Sequence, residues 1–300
     1  MTLAEWLETW RRRIDEALPA LLPARHETAG SVHDAMAYAL LSPGKRVRPT
    51  LIQAVGEMYR ARPDRLMAPA GAIEMVHTAS LVLDDLPCMD DAATRRGRPS
   101  CHTAYGEATA ILAAIGLLNH AFAVLAGESA SPQLKDSLRA DVARRLALAI
   151  GPDGVIGGQA ADLASAGRTA GPAPPGDLAT LEFIHSHKTG SLFIASAEIG
   201  AQICGATDGE MEALRAYAMN LGLAFQITDD LIDAVGDEES AGKPVRADAG
   251  RPTFVTMCGV EGARTLAAEL IETAVASLAP FGRRSARLSG LARFIARRDR

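Results

Sequence analysis

The sequence predicts an all-α fold in a single domain spanning residues 1–300. Three observations carry this. Nearly every long segment repeats its apolar residues at helical spacing. Hydrophobic residues make up 48% of the chain and aromatic residues only 4%. Ala and Leu supply most of that apolar content. They rank high in helix propensity, whereas strands favour β-branched and aromatic side chains. No stretch of useful length alternates apolar and polar residues.

The elements follow in order. Leu3 to Leu18 places apolar residues at positions 3, 6, 7, 10, 14, 17 and 18, a helical stripe. Thr28 to Leu41 forms the next helix, ended by Ser42-Pro43-Gly44. Pro49 fits the first turn of a third helix, which runs to about Tyr59. A connector, Arg60 to Asp64, leads into a helix from about Leu66 to Leu83. Helices are predicted over Thr103 to Ala126 and Pro132 to Ile150. Gly151-Pro152-Asp153-Gly154 breaks the chain before a short helix, Val155 to Ser165. The stretch 166–176 is rich in Gly and Pro and reads as a loop. It is the best candidate for a domain boundary, rejected here because two acidic motifs that read as one site lie on either side of it. Helices resume over Leu178 to Cys204 and Asp208 to about Val235. A polar segment, Gly236 to Pro252, reads as a flap, and two final helices span Thr253 to Leu278 and Ser285 to Arg297.

Composition narrows the function. The formal net charge is −5, so the chain lacks the basic footprint of a nucleic-acid binder. Cys88, Cys101, Cys204 and Cys258 are scattered without paired spacing, which reads as reduced thiols in a cytoplasmic protein. The N-terminus does not read as a signal peptide. No apolar run reaches about 18 residues uninterrupted, so no membrane span is expected.

The chemistry concentrates in two acidic clusters. The first is Asp84-Asp85-Leu86-Pro87-Cys88-Met89-Asp90-Asp91, and the second is Asp229-Asp230-Leu231-Ile232-Asp233. Each ends an apolar helical run. Two like charges about 6 Å apart cost roughly 3 kcal/mol at an effective dielectric near 20. A hard cation removes that cost, and Mg²⁺ commonly bridges protein carboxylates to substrate phosphates. Asp229 and Asp233 lie one turn apart on one helix face. Asp84 and Asp90 would sit about 120° apart on an unbroken helix. Pro87 should end the helix and let Asp90 swing back beside Asp84. A single acidic cluster is equally what a solvated helix end looks like. Two such clusters, each followed by basic residues, argue for a diphosphate site held by magnesium.

Basic partners are at hand, although each alone also reads as solvated surface. Lys45 and Arg48 lie in Gly44-Lys45-Arg46-Val47-Arg48-Pro49, a loop opening a helix, where backbone amides favour phosphate. Arg95 and Arg96 follow the first acidic cluster; as neighbours they cannot share one face, so they can reach different phosphates. Lys188 and Lys243 add two further cations. His77 lies two turns before Asp84 and either donates to a phosphate or is a structural histidine. Gln226, one turn before Asp229, offers an amide oxygen to a cation or a substrate.

These residues resemble the trans-prenyl diphosphate synthases, the farnesyl and geranylgeranyl diphosphate synthases. The resemblance rests on Asp84-Asp85-x-x-x-x-Asp90 with Arg95-Arg96-Gly97, and on Ala224-Phe225-Gln226-Ile227-Thr228-Asp229-Asp230-Leu231-Ile232-Asp233. Lys188-Thr189-Gly190, Gly158-Gln159-Ala160-Ala161-Asp162 and the Gly44–Pro49 loop also match. The stretch Glu74 to Leu83 is most similar to bacterial geranylgeranyl diphosphate synthases. The resemblance implies the isoprenoid synthase type I fold, a helical bundle around an apolar cavity. It also implies head-to-tail condensation of isopentenyl diphosphate with an allylic diphosphate, three Mg²⁺ ions when diphosphate is bound, and a homodimer.

By the same resemblance, Asp84, Asp90 and Asp229 ligate magnesium, and Asp85, Asp230 and Asp233 support it through water. Arg95, Lys188 and Lys243 hold the allylic diphosphate, while Lys45, Arg48, His77 and Arg96 hold isopentenyl diphosphate. Thr189 and Gln226 stabilise the allylic cation. The chain departs from the family at Arg251, where Lys is common, and at Thr94, where Leu is frequent. Ala79, with Ser80 beside it, stands where the product cavity is often floored. Met75 lies one turn deeper. Small residues there imply a C20 product, with C15 as the alternative, although another helix can equally form the floor. Two other readings are a class I terpene cyclase and a non-catalytic subunit. The full set of isopentenyl-type cations and the second Asp-Asp-x-x-Asp argue against the cyclase. Two complete acidic clusters argue against the subunit.

Overall fold

A computed structural model describes residues 1–127, 134–235 and 252–296. The described residues are overwhelmingly helical, as the sequence predicts. They form two compact units, residues 1–144 and 145–300, and the division falls inside a helix, not in the 166–176 loop.

In the first unit, α1 (Leu3–Leu21) opens with a capping box between Thr2 and Glu5 and buries Trp6, Trp10, Ile14 and Leu18 along one stripe. Its predicted end at Leu18 falls short because the helix continues through Pro19. Both tryptophan Nε1–H groups donate to Glu57 Oε1, at 2.8 and 3.0 Å. That pins α1 to α3 (Val47–Met58), where Pro49 occupies the first turn as expected. α2 (Gly30–Leu40) and α4 (Asp64–Asp84) complete the core. α4 is buried on nearly every side, from Leu66 to Val82, and packs against α1, α2, α3 and α6 (Glu107–Ala126). A helix apolar all round belongs inside a protein.

Between α4 and α6 lie a two-residue hairpin and a short helix. Thr94–Arg95 pairs antiparallel with Arg98–Pro99. The turn residues Arg96 and Gly97 have φ of 54° and 73°, the pair of positive angles that a tight hairpin turn needs. The sequence reading missed it because Arg-Gly is not a usual turn signal. α5 (Cys101–Tyr105) is separated from α6 by Gly106 at φ 83°, so the single helix predicted from Thr103 is broken there.

In the second unit, α7 (Asp136–Ile150) crosses the division and α8 is Val155–Ser165. The run predicted as one helix from Leu178 is in fact α9 (Leu178–His185), a π-helical turn (Ser186–Gly190) and α10 (Ser191–Ile203). α11 (Asp208–Val235) is the long central helix. It packs against α10, the π turn and α12 (Phe254–Ser277). α12 kinks at Gly259, where φ is 72°. A 3₁₀ segment (Ala279–Ser285) leads to α13 (Ala286–Ile295).

Among the described residues, α4 and α6 are long and apolar enough to cross a membrane by length and composition, a test that the buried core helix of a soluble protein also passes. α4 is an interior helix that carries the buried Glu74. α6 is less enclosed and leaves Ile111, Leu112 and Ile115 exposed.

Candidate active site

The first acidic motif is shaped by its own backbone. α4 ends at Asp84, and Asp85 caps it. Beyond Pro87 the chain doubles back, so that the Asp90 N–H donates to the Asp84 carbonyl at 2.8 Å and the Ala92 N–H to that of Asp85 at 3.1 Å. Proline ends the helix, and the return turn brings Asp90 to Asp84, as the spacing requires. Both carboxylates remain partly exposed, while Asp85 is buried.

Asp85 and Arg95 form a fork. Arg95 Nε lies 2.9 and 3.2 Å from the two Asp85 oxygens, and its Nη2 2.5 Å from Oδ1. Burial pushes the Asp85 carboxyl up, against the pull of Arg95. Burial also opposes the charge on Arg95, but its bonds to Asp85 outweigh that and hold the guanidinium above its usual value. The hairpin turn sends Arg96 the other way, onto Gly44. A Cβ at Gly44 would sit 2.7 Å from Arg96 Nη1. The two adjacent arginines therefore diverge, as predicted from their adjacency.

The loop before α3 is anchored by Arg46, a residue to which the sequence reading gave no role. It adopts the left-handed conformation with φ 47°. Its buried guanidinium donates to Asp15 Oδ1 at 2.8 Å, Glu74 Oε1 at 2.5 Å, and the Leu40 and Ser42 carbonyls at 3.0 and 2.8 Å. This anchoring leaves Lys45 exposed and Arg48 buried. Arg48 Nη1 approaches His77 Nε2 at 3.2 Å. Burial, then Arg48, Arg96, Arg95 and Arg46, hold His77 well below its usual pKa. It is therefore a neutral ring that accepts from Arg48. Arg96 is also pulled down, by burial and by the nearby Arg46 and Arg95. So many cations around one helix end create a field that an anion would relieve.

In the second unit the π turn presents Lys188 and Thr189. Lys188 Nζ lies 2.7 Å from Asp162 Oδ2 on α8, which gives Asp162 of the Gly158–Asp162 motif a role that its sequence alone did not state. Two glycines admit the turn. A Cβ at Gly158 would lie 2.2 Å from the Lys188 backbone N, and one at Gly222 on α11 would lie 2.9 Å from Gly190 Cα. Thr189 Oγ1–H donates to Gln226 Oε1 at 3.0 Å, and Gln226 Nε2–H donates to Asp230 Oδ1 at 2.9 Å. The second oxygen of Asp230 accepts from the Phe254 N–H at 3.1 Å. Asp229 and Asp233 lie one turn apart on α11, the first half-buried and the second buried. His185, also missed from the sequence, tilts against Phe254 at 5.4 Å, and burial lowers its pKa to about 4.

Lys243 and Arg251 lie outside the described residues. Met75 and Ala79 are buried in α4 and Ser80 is half-buried, its hydroxyl donating to the His77 carbonyl at 2.9 Å. Among the described residues no three His, Cys, Asp or Glu side chains gather closely enough to cage a cation. Mg²⁺ does not need such a cage: it takes one or two carboxylates and completes its octahedron with water and phosphate. The paired Asp84 and Asp90, and the Asp229–Asp233 pair, are oxygen donor sets of that kind.

A helical chain that carries two Asp-rich motifs, crowded arginines and a Thr–Gln pair points to a class of enzyme, the prenyltransferases. Comparison with known proteins makes the assignment specific: the chain belongs to the Polyprenyl synthetase family, whose match covers residues 30–278 and so crosses both units. It is 41% identical over 271 residues to geranylgeranyl pyrophosphate synthase of Capsicum annuum, covering 89% of this chain and 72% of that one. It is 38% identical over 306 residues to farnesyl diphosphate synthase of Escherichia coli strain K12, covering 100% of both. The crystal structure of an FPP/GFPP synthase from Zymomonas mobilis superposes with a TM-score of 0.85 at 35% identity, covering 98% of each chain. The chain is thus a prenyl diphosphate synthase by family, with the fold of that structure.

Proposed function

We propose that the protein condenses isopentenyl diphosphate head-to-tail with an allylic diphosphate and releases geranylgeranyl diphosphate, C20. The observation that carries the product length is Ala79, a small residue buried in α4 about one and a half turns before Asp84. A small side chain there leaves room for a growing tail. The alternative is a C15 product, favoured by the full-length similarity to the Escherichia coli farnesyl synthase.

Asp84, Asp90 and Asp229 would hold magnesium, with Asp85, Asp230 and Asp233 behind them. Bound magnesium supplies positive charge to the departing diphosphate. Arg95, Lys188 and Lys243 hold the allylic diphosphate in place, and the other diphosphate lies against Lys45, Arg48, Arg96 and His77. Neutral His77 accepts from Arg48 and so keeps that guanidinium aimed. Thr189 and Gln226 offer oxygens to the electron-poor allylic carbon. Most of the rate enhancement then comes from positioning and fixed charge. Exclusion of water protects the cation from quenching.

We place the enzyme in the cytoplasm as a homodimer. The exposed Ile111, Leu112 and Ile115 on α6 support a second copy as partner. The deciding experiment incubates the purified chain with labelled isopentenyl diphosphate and each allylic primer, with magnesium and with chelator, and sizes the products. Linear C20 product that disappears with chelator supports the proposal. Cyclic hydrocarbon, or no turnover with any primer, sinks it. Sedimentation at micromolar concentration tests the dimer.

A further inference from the structure

Asp230 stands in the second acidic motif, but its surroundings differ from those of a carboxylate waiting for a cation. It is buried, and each of its oxygens receives a protein N–H. One comes from Gln226 Nε2 at 2.9 Å, one turn back on α11. The other comes from the Phe254 backbone at 3.1 Å, at the start of α12. Gln226 in turn receives the Thr189 hydroxyl proton at 3.0 Å. The four groups form one directed chain within the second unit: the Phe254 and Gln226 donors meet on Asp230, and the Thr189 donor meets Gln226.

The direction of that chain follows from chemistry. A primary amide has one donating and one accepting end, and nothing in its shape selects which way it turns. An ionised carboxylate only accepts. Asp230 therefore forces the Gln226 NH₂ toward itself and turns Oε1 toward Thr189. The Thr189 proton is drawn to Oε1, and the lone pairs of the hydroxyl are left to face elsewhere. The Phe254 N–H stops the carboxylate from rotating away. The π turn that carries Thr189 lies close against α11, where a Cβ at Gly222 would sit 2.9 Å from Gly190 Cα.

We propose that Asp230 is a positioning residue: bridging the Phe254 amide and the Gln226 side chain, it sets the orientation of the Gln226–Thr189 oxygen pair. The inference rests on the proposed condensation, in which that pair faces the allylic carbon. It departs from the expectation that Asp230 chiefly supports magnesium. Asp229 and Asp233 keep that task.

The test compares Asp230→Asn, Gln226→Leu, their double variant and Asp229→Asn. Elongation kinetics give kcat and KM for both diphosphates. Calorimetry with inorganic pyrophosphate and magnesium measures the metal-dependent site without turnover. Misplacing a catalytic group by about 1 Å can cost 10²-fold, so Asp230→Asn should lower kcat about 100-fold with both KM values near wild type. The double variant should be no slower than Gln226→Leu alone, and pyrophosphate affinity should fall only in Asp229→Asn. Losses that multiply in the double variant overturn the proposal, as does weakened pyrophosphate binding in Asp230→Asn. If Asp230→Asn does not fold, Asp230→Glu replaces it; the longer side chain keeps the charge but cannot meet both donors, and the same split between kcat and pyrophosphate affinity is expected. Wild-type protein that elongates no primer removes the functional reading itself. An active wild type with multiplying losses removes only the role of Asp230.

Discussion

Glu74→Gln should destabilise this protein by about 3 kcal/mol, out of proportion to its conservative chemistry. Glu74 and Arg46 are both about 1% exposed, and their charged atoms stand 2.5 Å apart. A pair at roughly 4 Å between charge centres is worth about 4 kcal/mol at an effective dielectric of 20. Gln keeps the shape and one hydrogen bond, so no cavity term enters. Breaking one side of a buried pair typically costs about 3–5 kcal/mol because the other charge is left uncompensated. Here Asp15 and two carbonyls still hold the guanidinium, which places the loss at the low end. Urea unfolding at neutral pH measures it. The same loop carries Lys45 and Arg48, so the variant should also raise KM for isopentenyl diphosphate more than for the allylic substrate. A companion double variant, Arg46→Met with Glu74→Leu, should recover much of the loss, because a buried pair exchanged for apolar groups is often nearly neutral. A single-variant loss below about 1 kcal/mol, or a double variant as unstable as the sum of its parts, would show that this ion pair does not hold the loop.

Three further outcomes follow from the same geometry. Ala79→Tyr should shorten the product on chromatography, and an unchanged product distribution would remove the argument that Ala79 bounds the tail. Gly158→Ala should place a methyl group 2.2 Å from the Lys188 backbone, costing about 1–3 kcal/mol through overpacking and lowering kcat by displacing the π turn; full activity would mean that α8 simply moves aside. Lowering pH should weaken the fold through His185. Its folded pKa is about 4 against an ordinary histidine value of 6.5, so the unfolded chain takes up a proton that the folded chain refuses. Stability is full above about pH 6.5 and falls toward pH 4, by about 2–3 kcal/mol for this residue. His185→Leu should flatten that part of the urea-midpoint profile between pH 7 and 4.5, and an unaltered slope would assign the pH dependence elsewhere. His77, also held down by burial and its arginines, contributes in the same direction.

The sequence by itself determined the helices, because apolar periodicity reports which face of a segment is buried whatever it is buried against. It also determined the chemistry-bearing positions. Asp84, Asp90, Asp229 and Asp233 stood out as crowded carboxylates, and Pro87 marked the turn that returns the Asp90 backbone to Asp84. Boundaries were less legible: Gly106, the π turn at 186–190 and the Arg96–Gly97 hairpin turn all interrupt runs that read as uniform. Only the tertiary structure decided which cation serves which partner. Arg46 lies between two residues read as phosphate ligands, and nothing in the hexapeptide shows that it turns inward to Glu74, 28 residues away, while Lys45 turns outward. Asp162 and Lys188, or Asp230 and Phe254, meet because separate helices pack together. Local sequence carries propensity and periodicity, but the partner of a polar group is chosen by packing across elements, where burial makes each unpaired donor or charge too costly to leave alone.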